Sequence, residues 1–426
     1  MTAAAPQQNR PADGQTDALP PGWSWKTLTD LSTVVSKGTT PTSLGHTFAS
    51  RGIPFLRAED VLGGPVSPTC VTHHISPETH EALARSNLLP GDLLVTIAGT
   101  LGRVGYVPED APQLNCNQAV AFCRLDPHQA DVRFVCHACQ FGPITKALTD
   151  QKAGGGVQNL SLDQLRSLRL PIPPLPEQRR ITAHLREQLS AVAEARAAVQ
   201  AQINAAQTLP AAHLQAVFSG SALKKWLAKP LIEVAEISGG VTLGRDLRGR
   251  PARQVPYLRV ANVKDGWLDL SHVKEVEATE AEIGDCRLRF GDLLLTEGGD
   301  PDKLGRGTYW QEQLPECIHQ NHIFRVRFDL SASDPAFAAA QFGSPYGKAY
   351  FLAHAKQTTG IATINRTVLS KFPFLTPPFA EQRAIAARLE ADQTEAASLT
   401  SALAEKLTTL DHLPAALLRE AFAGRM

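Results

Sequence analysis

Two pairs of segments decide the architecture. LPAAHLQAVFSG at 209–220 returns as LPAALLREAFAG at 413–424, and PPLPEQRRI at 173–181 returns as PPFAEQRAI at 377–385. Both pairs are offset by 204 residues, so the stretch between the anchors has one length in both copies. Upstream, GIPFLRAEDV (52–61) matches QVPYLRVANV (254–263), and LLPGDLLVT (88–96) matches LRFGDLLLT (288–296). LGR recurs at 101–103 and 304–306, and NQAVAFCRLD (117–126) aligns with QNHIFRVRFD (320–329). The offset drifts by a few residues, as loop insertions would make it. One long unit is used twice, which excludes a solenoid of short repeats.

Each unit has two parts. The first carries short apolar runs such as DLLVTIAG (92–99) and DLLLTEGG (292–299), punctuated by Gly and Pro, which read as strands between turns. Patches such as FVCHACQF (134–141) read as helix. The second part loses Gly and Pro and fills with Ala, Glu, Gln and Arg, all good helix formers. Its apolar residues fall at Ile181, Leu185, Leu189, Val192, Val199 and Ile203, and in the second copy at Ile385, Leu389, Ala396, Leu399, Leu403 and Leu410. That spacing predicts an a/d seam, the mark of a helix packed on one partner helix, the alternative being a long amphipathic helix lying on its own globular domain. Pro171, Pro173, Pro174 and Pro176, and then Pro377 and Pro378, hold each helix entry extended. Pro210 and Pro414 are expected to break each helix before a short terminal helix ending at Gly220 and Gly424. The fold class is α+β: two tandem strand-rich domains, each followed by a long helix, the two helices pairing as an antiparallel coiled coil with pseudo-twofold symmetry. The expected division is a disordered leader at 1–19, domains at 20–172 and 222–376, and helical spacers at 173–221 and 377–426.

The 426 residues include 42 basic and 42 acidic side chains, 43% apolar and 20% charged, a globular composition that excludes a disordered tail or a collagen. No run reaches the ~18 apolar residues of a membrane span, and the polar start MTAAAPQQNRPADGQTDALP has no signal-peptide core, so a cytoplasmic protein is expected. Seven cysteines, an odd number in a large chain, read as reduced thiols.

Familiar catalytic patterns fail on inspection. GSPYGKA (343–349) has three residues between its glycines where a P-loop needs four, and Ala349 follows the lysine. GTLGRVG (99–105) lacks dinucleotide spacing. TPPF (376–379) is matched by IPPL (172–175), with neither the polar residue nor the aromatic of a methyltransferase loop. Cys136 and Cys139 form a lone CxxC that the second copy replaces with Phe337 and Ala340, so small core residues explain it better than zinc. No catalytic residue and no metal ligand is therefore assigned.

Two variable domains, each followed by a Pro-Pro-x-x-Glu-Gln-Arg-x-Ile helix, resemble the specificity subunit of a type I restriction–modification system. PPLPEQRRI and PPFAEQRAI, GDLLVT and GDLLLT, and the two LPAA…F…G helix ends carry the resemblance, which spans residues 20–426. It implies that the globular parts are target recognition domains, each reading one half of a split sequence in double-stranded DNA. It implies a non-catalytic subunit with no cofactor of its own. Its partners would be two modification methyltransferase subunits, which use S-adenosylmethionine, and restriction translocase/endonuclease subunits, which use ATP and Mg. The helices would act as a ruler: about 32 residues at ~1.5 Å each give ~48 Å, against roughly 34 Å for one turn of DNA. The competing function is a coiled-coil scaffold that binds no DNA.

Under the resemblance, phosphate contacts fall to Lys, Arg and backbone amides, and base contacts to Arg, Asn, Gln, Ser and Thr. RDLRGRPAR (245–253) concentrates Arg245, Arg248, Arg250 and Arg253, either facing DNA or forming a solvated loop; KGTTPTS (37–43), with Lys37, Thr39 and Thr40, occupies the matching place in the first unit. Arg57 and Arg259 match between units, as do Arg103 and Arg306, which suits either phosphate positioning or a structural ion pair. Gln158 and Asn159 follow GGG (154–156), and Asn365 follows Gly360, in loops before the helix entries. Glu177, Gln178, Arg179 and their copies Glu381, Gln382 and Arg383 are expected at partner or inter-helix contacts. Residues 20–172 hold 12 basic and 12 acidic side chains and 222–376 hold 20 and 18, so weak DNA affinity is expected of the isolated chain.

Overall fold

A computed structural model of the chain describes residues 19–149, 159–299, 304–358 and 361–426. All but residue 19 of the expected leader, and Gln158, lie outside them. The chain divides into two compact units. The first takes the described residues up to Val199 together with Lys406–Met426; the second is Gln200–Glu405. The division falls inside both long helices, so each unit combines one strand-rich domain with the start of its own helix and the end of the other.

In the first unit the strands run β1 (Ser24–Thr27), β2 (Ser32–Lys37), β3 (Ile53–Leu56), β4 (His74–Ile75), β5 (Asn87–Leu88), β6 (Asp92–Thr96), β7 (Val104–Tyr106), β8 (Leu114–Cys116), β9 (Val120–Leu125) and β10 (Arg169–Ile172). One sheet has the order β2-β9-β6-β7 and a second β4-β3-β8-β5, while β1 pairs with β10. The period of two along β6 explains the layering. Leu93 and Val95 face a core shared with helix Val132–Gln140, with Ile181 and Leu185, and with Leu418, Ala421 and Phe422 from the chain's end. Leu94 faces the opposite way, with Phe122, Leu56 and Leu114.

The second unit repeats this plan. Its strands are β11 (Ala228–Pro230), β12 (Ala235–Ser238), β13 (Ala252–Leu258), β14 (Lys274–Thr279), β15 (Leu293–Thr296), β16 (Gly298–Gly299), β17 (Gly307–Tyr309), β18 (Ile318–His319), β19 (Ile323–Phe328), β20 (Lys356–Thr358), β21 (Ile361–Thr363) and β22 (Pro373–Leu375). The sheet β12-β19-β15-β17 matches β2-β9-β6-β7 strand for strand, and β14-β13-β18 matches β4-β3-β8. Leu293 and Leu295 pack with Phe337, Phe372, Phe374 and Phe218, whereas Leu294 turns to Trp310 and Ile323.

The first long helix is Leu175–Val217 and the second Phe379–Phe422. They run antiparallel: Arg196 pairs with Asp411 at 2.6 Å in the first unit, and His213 lies 3.4 Å from Asp392 in the second. Two expectations need correction. Pro210 and Pro414 do not break the helices but lie inside them. A proline forfeits one backbone hydrogen bond, and here burial on both sides outweighs it: Ala206 and Phe218 flank Pro210 as core residues. The seam also differs in detail. Val199, Ile203 and Ala396 are buried, but Ile181 and Leu185 pack on their own domain, and Leu399 is 45% exposed. The heptad pattern therefore mixes two kinds of contact, helix-to-domain near each helix start and helix-to-helix beyond it.

Candidate nucleic-acid interface

The scaffold that presents the candidate residues is held by the same bonds in both units. Asp92 is wholly buried and takes a two-pronged bond from Arg124, Nε to Oδ1 at 3.0 Å and Nη2 to Oδ2 at 2.9 Å. It also accepts the Leu89 amide, closing the turn before β6. Asp292 repeats this with Arg327 at 2.6 Å on both prongs and with the Arg289 amide, and the bond to Asp292 raises the Arg327 pKa. A buried carboxylate is tolerable only when so satisfied. The Gly-Asp of the GDLL motif is thereby explained: Gly91 and Gly291 adopt positive φ at this turn, and the aspartate behind each anchors the central sheet.

Gln178 and Gln382 form a second shared device. Gln178 Oε1 accepts the Asp131 amide (2.9 Å), and its Nε2 donates to the carbonyls of Gln129 (3.0 Å) and Pro173 (2.9 Å). Gln382 accepts from Asp334 and donates to Ala332 and Pro377. Both side chains are buried, so each ties the first helical turn, the proline entry and a domain helix into one joint. This corrects their expected place at partner or inter-helix contacts, because their hydrogen-bonding groups are spent on backbone groups within their own unit. Arg179 and Arg383 remain exposed. Glu177 pairs with Arg180, and Glu381 accepts from Lys225 at 2.7 Å and from Trp226. These partners lower both glutamate pKa values, Arg180 acting on Glu177 and chiefly Lys225 on Glu381.

Exposed candidates in the first unit lie along loops of this scaffold. Lys37 ends β2, and Gly38 follows it so closely against β8 that an added Cβ would stand 2.1 Å from the Cys116 carbonyl oxygen. Thr39 then accepts a long bond from Arg85, and Thr40 precedes a short 3-10 turn without a side-chain capping bond. Arg57 is half-buried, bonded to His73 at 3.0 Å and facing Glu59 at 3.3 Å. Arg103 is exposed; its backbone amide is held by the Thr96 hydroxyl. Asn159 is exposed.

The arginine-rich loop of the second unit is largely neutralised. Arg245 is locked to Glu282 and to the Glu277 carbonyl, Arg253 bridges Glu280 and Glu316, and Arg248 pairs with Asp246. Arg250 stays exposed, with no side-chain partner among the described residues. The reading of four DNA-facing arginines therefore narrows: Arg245 and Arg253 hold the loop to β14 and the helix after it. Arg259 donates to the His272 carbonyl, and the Arg306 carbonyl accepts from Thr296. Asn365 caps helix Arg366–Ser370 through the Val368 amide, a local structural role that Ser161 fills in the first unit.

Cys136 and Cys139 are core residues whose thiol pKa values burial pushes up, Cys136 to about 12. Among the described residues, no group of three or more His, Cys, Asp or Glu side chains could hold a metal ion, and no helix is long and apolar enough to cross a membrane. Sequence reasoning missed the roles of Asp92, Arg124, Asp292 and Arg327. Their signal was available, since both members of each pair recur within the matched segments.

Comparison with known proteins agrees with this repeated plan. Residues 20–204 match the family model described as the type I restriction modification DNA specificity domain. The chain is 22% identical to the EcoKI specificity subunit of Escherichia coli K12 and to the StySPI specificity subunit of Salmonella potsdam, over 96% of this chain and 90% of each relative. Among solved structures, an HsdS subunit from Thermoanaerobacter tengcongensis aligns with a TM-score of 0.64 at 22% identity, covering 96% of this chain and 98% of that one. A chain from a study of assembly and conformational transition in a type I restriction–modification system aligns at 0.69 and 22% identity, covering 96% and 100%. The fold is that of these structures, and residues 20–204 are similar to the type I restriction modification DNA specificity domain.

Proposed function

We propose that this chain reads a split target in double-stranded DNA and brings modification methyltransferase subunits to it. Residues 20–172 and 222–376 act as the two target recognition domains, and 173–221 and 377–426 as the spacers that set the gap. One observation carries the reading. A single scaffold, down to the Asp–Arg pair and the glutamine joint, recurs in both units while its exposed loops differ. Selection for two different half-sites on one framework would leave such a pattern. Phosphates fall to Lys37, Arg57, Arg103, Arg259 and Arg306, and bases to the divergent loops holding Thr39, Thr40, Asn159 and Arg250.

The chain contributes no catalysis. The partner methyltransferases bind S-adenosylmethionine, restriction subunits use ATP and Mg, and the assembly works in the cytoplasm. Exposed Arg179 and Arg383 are the partner-facing residues of the two helix starts. The test is a single-molecule methylome of the host with and without the gene. Loss of one split adenine-methylated motif on deletion supports the reading and reports both half-sites, whereas an unchanged methylome in a strain that expresses the complex refutes it.

A further inference from the structure

Each unit holds one large apolar side chain out into solvent at the same loop. In the first unit the chain leaves the short turn Ala58–Asp60 and passes through Leu62, which is 79% exposed, before rejoining β7. In the second it leaves the matching turn Val260–Asn262 and passes through Trp267, which is 57% exposed. Neither loop is slack. Gln140 donates to the Gly63 carbonyl at 2.6 Å and Tyr106 to the Gly64 carbonyl at 3.0 Å. In the second unit the Gly266 amide donates to Gly307 and the Lys264 amide to Trp267, each at 3.0 Å. Gly63 and Gly266 take positive φ, so both tips are tight and defined. An exposed indole on a rigid turn is a preformed contact rather than a frayed end.

Each apolar tip also lies beside one of the arginines shared by the two units. Leu62 and Arg103 line one open cleft of about 530 Å³, together with Gly102 and Gln140. In the second unit Gly266 is bonded to Gly307, the residue after Arg306. Among the described residues, neither arginine has a side-chain partner. The acidic neighbour Asp265 is neutralised by Lys348. The tips therefore combine apolar bulk with unpaired positive charge, a pairing suited to a polyanion with stacked apolar bases inside it.

Resting on the DNA-reading function above, we propose that Leu62 and Trp267 are groove wedges. Each presses its apolar side chain against a base step of its own half-site while Arg103 or Arg306 holds the adjacent phosphate. The framework is common, but the wedges differ in size and chemistry. They therefore favour different steps, since the energy of unstacking depends on the sequence unstacked. Leu62 and Trp267 become specificity-determining residues that need donate no hydrogen bond to a base.

The test uses the full chain in complex with its methyltransferase subunits and a duplex carrying the methylome-defined target, with 2-aminopurine placed at successive steps. The wild-type complex should raise the fluorescence at one step in each half-site. Leu62→Ser should abolish the rise in one half-site and Trp267→Ala in the other, each weakening binding about tenfold. Trp267→Phe should fall between. Both residues are exposed, so unchanged melting checks that the variants fold. If wild type binds the target but both variants bind equally well with the fluorescence unchanged, the wedge proposal is overturned and the DNA-reading function stands. If the variants instead lose their methyltransferase subunits, the tips are protein contacts and the proposal is likewise overturned. If wild type binds no target at all, the function itself fails.

Discussion

Replacing Gln178 with alanine tests the joint between helix and domain directly. The side chain is fully buried, so water cannot easily replace it. Its loss removes three hydrogen bonds and strands the Asp131 amide and the carbonyls of Gln129 and Pro173. A lost bond costs about 1 kcal/mol, and a buried group left unsatisfied about 1–3 kcal/mol. Allowing for each carbonyl's second lone pair, Gln178→Ala should destabilise the first unit by roughly 3–5 kcal/mol. At roughly 2–4 °C per kcal/mol for a unit of this size, its melting transition should fall by about 10 °C. Differential scanning calorimetry measures the shift, and Gln382→Ala should lower melting through the second unit. Gln178→Leu separates packing from hydrogen bonding, because leucine fills the space and satisfies nothing. It should therefore be as damaging as alanine. Wild-type stability in Gln178→Leu, or a loss under about 1 kcal/mol in Gln178→Ala, would refute it.

Phe422 packs its ring on Trp23, Phe134 and Phe141 at 5.2–6.1 Å between centroids, so Phe422→Ala should cost the first unit about 3–5 kcal/mol in urea unfolding. Phe218→Ala should do the same to the second unit, where that ring meets Trp226 and Phe337. Native titration with a thiol reagent should count one fast cysteine of the seven, Cys70, because the other six are buried. Glu282 is held down at about 2, first by Arg245 and then by the Thr279 amide and hydroxyl, against an ordinary value of 4.5. Its stabilisation is therefore full above pH 4.5 and lost as pH falls toward 2, and Glu282→Gln should flatten the second unit's acid limb over that window in a denaturation series. Arg250→Ala should weaken DNA binding by the assembled complex with no change in melting, and Arg245→Ala should lower melting as well.

Duplication, strand-rich domains and two long helices were legible because each leaves a periodic or repeated mark in one dimension. The offset of 204 residues located both helices, and short apolar runs such as DLLVT between Gly and Pro located the central strands. What escaped was whatever depends on a partner distant in sequence. Pro210 reads as a breaker because propensity is local, yet burial of Ala206 and Phe218 keeps the helix continuous past it. Leu185 reads as a coiled-coil position because its spacing fits, yet its neighbours in space are a recognition domain and the end of the other helix. Gln178 reads as a partner or inter-helix contact because its motif repeats at both helix starts, and only the three backbone groups around it reveal a buried joint within its own unit.

The arginine loop carries the same lesson into function. Counting RDLRGRPAR alone gives four positive charges against one negative. Glu280, Glu282 and Glu316 lie 27–63 residues away from their arginine partners in sequence but form ion pairs with Arg245 and Arg253, so little of that charge is left for a phosphate. Arg287 also leans on Glu316. A domain that spends its cations on its own carboxylates releases few counterions on meeting DNA, and so gains little sequence-independent affinity. Near-neutral domains fit the proposed function, since a chain that reads one split target should not hold random DNA by itself. On the proposed function, the strong electrostatic grip would fall to the assembled complex, and the domains would discriminate through shape, apolar contact and a few groups such as Arg103, Arg250 and Arg306, whose side chains have no partner among the described residues.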